Sequence, residues 1–134
     1  TVITNRREIA ADDFFVGMYT TALDEGEIIT AVRFPIPKRA AYMKFKQPAS
    51  RFSLVGVFVA QFDAGVRVAV TGASSCVFRH AGLEAALSGS FTPQAAAAVA
   101  IYASDLNADL HASAAYRANL ISVQTQRAVQ QMLG

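Results

Sequence analysis

The stretch Leu54–Thr71, LVGVFVAQFDAGVRVAVT, decides the fold. Leu54–Phe62 is apolar at nearly every position, which predicts a strand covered on both sides. Asp63-Ala64-Gly65 is a short hairpin connection, with Gly65 supplying the permissive backbone. Val66, Val68 and Val70 then alternate with Arg67, Ala69 and Thr71, so a second strand presents valines to a core and short or charged groups away from it. Upstream, Ala41–Gln47 (AYMKFKQ) alternates in the same way, with Tyr42, Lys44 and Lys46 on one face and Met43 and Phe45 on the other. Pro48-Ala49-Ser50 breaks that run. Earlier still, Ile28–Phe34 is β-branched and aromatic, follows the turn signal Glu25-Gly26, and is closed by Pro35 and Pro37. Four strands with short links predict an antiparallel meander.

Downstream of Gly72 the period changes to that of helices. Leu83 and Leu87 are spaced for one face of a helix over Phe78–Leu87, which stops at Ser88-Gly89. Thr92-Pro93 is a cap followed by a first-turn proline, opening an Ala-rich helix that runs to about Ser104. Asn107–Ser113 is a loop. Ala114–Leu133 is the longest helix, with Tyr116, Leu120 and Val123 on the inward stripe and Arg117 and Arg127 outside it. Near the start, Asp12-Asp13 before Phe14-Phe15 opens a short helix ended by Gly17, and Tyr19-Thr20-Thr21 is extended chain or loop. Strands first and helices afterwards is the α+β pattern: a three- or four-stranded antiparallel sheet packed on a three-helix layer. The expected core is Leu54, Val55, Val57, Val59, Val68, Val70, Leu83, Leu87, Tyr116, Leu120 and Val123.

At 134 residues the chain has one domain's worth of length, and 53% hydrophobic residues suggest apolar surface covered by a partner or a missing segment. It opens at Thr1 without a leader pattern, so the expectation is a piece of a longer protein. No apolar run reaches the length of a membrane span, and the cytoplasm is the default compartment. A net charge of +2, with scattered Lys and Arg, gives no footprint for nucleic acid. The sole cysteine, Cys76, excludes an internal disulfide and a Cys-based zinc or iron–sulfur site; a buried inert thiol is expected. Glycine-rich dinucleotide and phosphate loops are absent, as is any metal-ligand pair on a helix. His80 and His111 read as ordinary surface or cap histidines, and Asp12 and Asp13 as helix-start carboxylates. Tyr19 fits either a contact with a neighbouring domain or simple packing. No catalytic residue and no metal ligand is expected.

Three stretches taken together resemble one family. Arg7–Phe15, continuing through Tyr19–Leu23 to Glu27–Pro35, is similar to the hinge that leaves the FAD-binding domain of molybdenum hydroxylase flavoproteins. Tyr42–Val55, with YMKFKQPASRFSLV, resembles the family's strand and flavin-side loop. Ala115-Tyr116-Arg117-x-x-Leu120, with Arg127-Ala128 further on, is similar to its final helix. The resemblance spans nearly the whole chain and implies the C-terminal domain of the medium, FAD-binding subunit. It divides the chain into residues 1–10, the tail of a missing FAD-binding domain, and residues 11–134, the C-terminal domain.

The resemblance also implies a role. FAD would be held mostly by the missing N-terminal domain, with the molybdenum cofactor in a large partner subunit and iron–sulfur clusters in a small one. This chain would supply one wall of the flavin pocket through Lys46, Gln47, Arg51 and Phe52, and the isolated piece is expected to be inactive and colourless. Lys46 corresponds to a lysine facing the pyrimidine side of the flavin, where a fixed positive charge suits the charge gained on reduction. Without the resemblance, Lys44 and Lys46 read first as a solvated strand face, and with it the two readings stand level; Phe52 reads equally as the first core residue of the next strand. Phe52 lacks the hydroxyl of the tyrosine expected in carbon monoxide dehydrogenase-like members, so stacking carries over and that hydrogen bond does not. Arg51-Phe52-Ser53 lacks the acidic residues of xanthine dehydrogenase-like members, which favours the carbon monoxide dehydrogenase-like branch. The alternative is a non-catalytic α+β interaction domain whose apolar face makes a homo-oligomer. The coincidence of Lys, Pro and aromatic in KFKQPASRF separates the two.

Overall fold

The computed structural model describes all 134 residues, Thr1–Gly134. Its backbone contacts gather into two units, Thr1–Ile36 and Pro37–Gly134. In the first unit, β1 (Val2–Thr4), β2 (Glu8–Ile9), α1 (Ala11–Phe14), β3 (Phe15–Gly17), β4 (Thr20–Thr21) and β5 (Ile29–Val32) follow in order. The sheet order is β2-β1-β5, all antiparallel, with Val2 opposite both Ile9 and Val32; β3 and β4 form a separate pair. Val2, Ile9 and Phe14 make a small core, flanked by Ala22 and Leu23. Asp12 and Asp13 lie in the first turn of α1, which ends at Phe14 rather than Gly17 because Phe15 already pairs with Thr21.

One buried carboxylate organises this unit. Glu27 accepts from Arg7 through both oxygens (Nε–Oε1 and Nη2–Oε2, each 3.0 Å), from the Thr4 hydroxyl at 2.7 Å and from the Asp24 amide at 2.9 Å. The Arg7 guanidinium first, then the Asp24 amide and the Thr4 hydroxyl, hold its carboxyl at about 2.

In the second unit the strands are β6 (Arg39–Lys46), β7 (Ser53–Phe62), β8 (Gly65–Thr71) and β9 (Phe78–Arg79), an antiparallel meander in that order. The helices are α2 (Ala81–Gly89), α3 (Pro93–Ala97) and α4 (Ala114–Leu133). Each has its cap in the sequence: the His80 ring, the Thr92 hydroxyl and the Ser113 hydroxyl accept from Leu83, Ala95 and Tyr116 amides. Val55, Val57, Val59, Val66, Val68 and Val70 meet Leu83, Leu87, Leu120, Ile121, Ala128 and Val129 in one core, with all three helices on that face of the sheet. The expected α+β architecture is borne out. Arg39 ties the C-terminal end of α4 to the sheet, donating to the Met132 carbonyl at 3.0 Å with its guanidinium over the Phe91 ring.

Several expectations are corrected. Ile28–Phe34 does not join the meander; its β5 core pairs with Val2–Thr4, and Pro35 and Pro37 interrupt the chain before β6. The fourth strand of the meander is instead β9, so the helix expected from Phe78 starts at Ala81: Phe78 and Arg79 pair with Val70 and Ala69. The Ala-rich helix ends at Ala97 rather than near Ser104. Val99 and Ile101 both pack on the core, and residues two apart lie on opposite sides of a helix. Strand β7 is not covered on both sides. Phe58 is 44% exposed, opposite Tyr42, although Gly56, under the Tyr42 ring, and Ala60 are buried on the same face. In α4 the inward stripe is rotated: Arg117, Ala118, Leu120, Ile121, Gln124, Thr125, Ala128 and Val129 are buried, whereas Tyr116 is 42% exposed and Val123 half-buried. The other nine expected core residues are buried.

Candidate functional site

The segment from Lys46 to Ser53 leaves the sheet and returns to it. Pairing slips where it does so: Phe45 opposes Val55 but Lys46 opposes Ser53, a bulge that leaves Leu54 unpaired and free to bury. The loop is closed by its own backbone. The Gln47 amide donates to Phe52 O at 2.9 Å, and the Arg51 amide donates to Gln47 O at 2.8 Å. Arg51 reaches this geometry at φ +59°, a left-handed conformation that non-glycine residues adopt at a cost of about 1–2 kcal/mol. The Gln47 side chain works in both directions: Oε1 accepts the Ala49 amide at 3.1 Å, and Nε2 lies 2.9 Å from His111 Nδ1.

Lys46, Gln47, Arg51 and Phe52 therefore lie in one hydrogen-bonded loop. Lys44 and Lys46 are exposed on the same face and make no ion pair. Phe52 is not the buried start of the next strand: its ring is 46% exposed and its edge meets His111, with centroids 6.0 Å apart. At the strand end the Tyr42 hydroxyl and Ser53 Oγ are 2.9 Å apart. The loop thus presents Lys46, with Lys44 beside it on the strand, as uncompensated cations, and a half-open aromatic ring, steadied by polar contacts.

That support is what sequence inspection missed. Asp109 Oδ1 accepts the His111 and Ala112 amides at 2.9 and 3.1 Å, and Oδ2 accepts Arg117 Nη2 at 2.7 Å. These bonds, the His111 amide foremost, hold the Asp109 carboxyl below the usual range. Arg117 Nη1 donates to Leu54 O at 2.7 Å and Gly72 O at 2.9 Å. His111, expected as an ordinary histidine, is a contact of the loop. The local sequence carries half of that signal, since Asp109-Leu110-His111 is a side-chain-to-backbone turn pattern. The other half, Gln47, is 64 residues away.

A separate concavity lies elsewhere. A groove of about 420 Å³ sits at the Asp63-Ala64 hairpin, lined by Phe62, Arg67, Arg79, Glu84 and Ser88 among others. It is at the opposite end of the ten-residue β7 from the loop, about 30 Å away. Its polar groups already serve one another. Glu84 pairs with Arg79 and accepts the Val68 amide, Ser88 Oγ accepts the Val66 amide, and Arg67 lies over Phe62. Burial opposes the charge on Glu84, but Arg79 and the Val68 amide outweigh it and its carboxyl is lowered. No group of three His, Cys, Asp or Glu could hold a metal ion, and Cys76 is a half-buried free thiol. No helix is long and apolar enough to cross a membrane.

No family model matches the chain. It is 36% identical to the nicotine 6-hydroxylase medium subunit of Paenarthrobacter nicotinovorans, over 95% of this chain and 48% of that protein. It is 31% identical to the carbon monoxide dehydrogenase medium chain of Hydrogenophaga pseudoflava, over 92% of this chain and 47% of that one. The fold matches a chain in the crystal structure of quinoline 2-oxidoreductase from Pseudomonas putida 86, with a TM-score of 0.78 over 94% of this chain and 48% of that chain, at 24% identity. The chain spans about half the length of the curated relatives it matches.

Proposed function

We infer that the chain, which is a relative of the FAD-binding medium subunits of molybdenum hydroxylases, builds one wall of an FAD pocket in a longer oxidoreductase subunit. The observation that carries this is the pinned loop, which bears an exposed Lys46 without an ion pair at its start and a half-exposed Phe52 near its end. That donor set fits a flavin ring. When bound, FAD supplies two-electron chemistry and gains negative charge along its pyrimidine edge on reduction. Lys46, lacking a carboxylate to neutralise it, offers its whole charge to that edge. Phe52 offers an apolar face for stacking. Gln47 has both ends of its amide engaged, so its part is to hold the loop, and Arg51 adds positive charge beside the diphosphate-bearing cofactor.

In the parent complex, residues 1–10 continue an FAD-binding domain that holds the remainder of the cofactor, and residues 11–134 form the C-terminal domain. Electrons arrive from a molybdenum-containing large subunit through an iron–sulfur small subunit and leave to an external acceptor. Exposed apolar side chains of the first unit, among them Met18, Tyr19, Phe34 and Ile36, supply surface for such partners. The whole assembly works in the cytoplasm.

The test uses the complete subunit carrying FAD. Lys46→Met keeps length and removes charge, so it should make the flavin harder to reduce, lowering the two-electron potential by about 30 mV, which corresponds to roughly 1.4 kcal/mol. An unchanged potential would make Lys46 a solvated strand residue and remove the chief support for this assignment.

A further inference from the structure

Arg117 is the one guanidinium in the core. Its side chain is only 3% exposed, and it projects from α4 into the space where the β7–β8 ladder ends. Burying a cation costs several kcal/mol unless its donors are met. Nη1 meets two carbonyls at once and Nη2 meets Asp109, while Nε has no partner. An apolar side chain of similar volume would fill this space at less cost, so what the guanidinium adds is geometry.

The three groups it grips have one feature in common. Leu54 O belongs to the residue that the bulge leaves outside the β6–β7 pairing, two positions after Phe52. Gly72 O lies just past the last β7–β8 pair, Gly56–Thr71, and Gly72 sits at φ +79° so close that a Cβ there would be 2.5 Å from Ser53 O. Asp109 spends its other oxygen on the His111 amide, and His111 in turn meets Gln47 and the Phe52 ring. One side chain on α4 thereby fixes the exit of the loop from above the sheet and the turn that supports the loop from below.

We propose that Arg117, through Leu54, Gly72 and the Asp109–His111 turn, is the positioning residue of the 46–53 loop and so sets the placement of Lys46 and Phe52. Only the last step, from loop placement to FAD, rests on the function proposed above. A lysine cannot replace it, because a single ammonium lacks the planar fork that spans two carbonyls and a carboxylate.

The experiment compares Arg117→Met, Arg117→Lys and the milder Asp109→Asn with Leu87→Ala, a core truncation in α2 remote from the loop, all in the complete FAD subunit. Two quantities are read: amide exchange at Gln47, Arg51 and His111, and FAD affinity by titration of the flavin-free protein. Both Arg117 variants should exchange about ten-fold or more faster at these amides than Leu87→Ala, and FAD affinity should fall by a similar factor. Asp109→Asn, which keeps an oxygen for the His111 amide but neutralises the partner of Arg117 Nη2, should speed exchange at Gln47 and Arg51 with little change in melting temperature, and it decides the matter if Arg117→Met does not fold. Exchange at the three amides no faster than in Leu87→Ala overturns the proposal, whatever happens to FAD affinity. Faster exchange with unchanged FAD affinity upholds Arg117 as the positioning residue and sinks the FAD-wall assignment instead.

Discussion

Gly72→Ala is the sharpest perturbation the fold offers, because the structure supplies both parts of its cost. Gly72 has φ +79°, where an alanine costs about 1–2 kcal/mol. Its added Cβ would lie 2.5 Å from Ser53 O and 2.9 Å from Leu54 O. Both neighbours are backbone, so the strand must shift, and overpacking of that kind costs about 1–3 kcal/mol. Together the expected loss is about 2–5 kcal/mol. Gly89→Ala is the control within the same unit: nothing lies within 4 Å of its Cβ and it is the last residue of α2, so alanine should stabilise by up to about 1 kcal/mol. The assay is native-state hydrogen exchange at the slowest amides of β7 and β8, which lie within the unit Pro37–Gly134. Gly72→Ala should speed them by roughly thirty-fold to a few thousand-fold, and Gly89→Ala should slow them. A loss below about 1 kcal/mol for Gly72→Ala would mean that β7 and Gly72 do not approach as described, and the clamp around Leu54 would go with it.

Two further outcomes are expected. In the complete subunit Phe52→Ala should weaken FAD binding by up to about ten-fold, since stacking contributes about 0.5–1.5 kcal/mol beyond buried area, while shifting the potential less than Lys46→Met does; equal effects of the two variants on both quantities would contradict the division of labour. Glu27 has a folded value near 2 against an ordinary 4.5, so its contribution to the first unit is complete above pH 4.5 and is lost as pH falls toward 2. The amide signals of Thr4 and Asp24 should move through that window in the wild type and not in Glu27→Gln, and identical titrations would show that the Arg7–Glu27 contact does not form.

The sheet was legible wherever the pattern was local. Val68 and Val70 face the core because strict alternation in β8 leaves no other register, and the hairpin at Asp63-Ala64 then sets Val59 and Val57 opposite them. The limits of α4 were legible for the same reason, with Ser113 as a cap and Gly134 at the end. Non-local choices were hidden. Whether Ile29–Val32 joins β6 or pairs back to Val2–Thr4 depends on which partner is nearer in space, and both have suitable β-branched residues. The stripe of α4 was read one position off because an arginine is ordinarily a surface residue; only Leu54 O, Gly72 O and Asp109, converging from three other places, make its burial affordable. In the site, KFKQPASRF stood out as a chemical oddity in a sheet edge. Its support by His111 required knowing that two loops far apart in sequence meet.

The most direct test of the central claim is photo-labelling of the complete subunit with an azido-substituted FAD, followed by peptide mapping. Label is expected on peptides covering Lys44–Ser53, competed away by FAD. Label confined within this chain to the Phe62–Ser88 groove, with the loop unmodified, would contradict it.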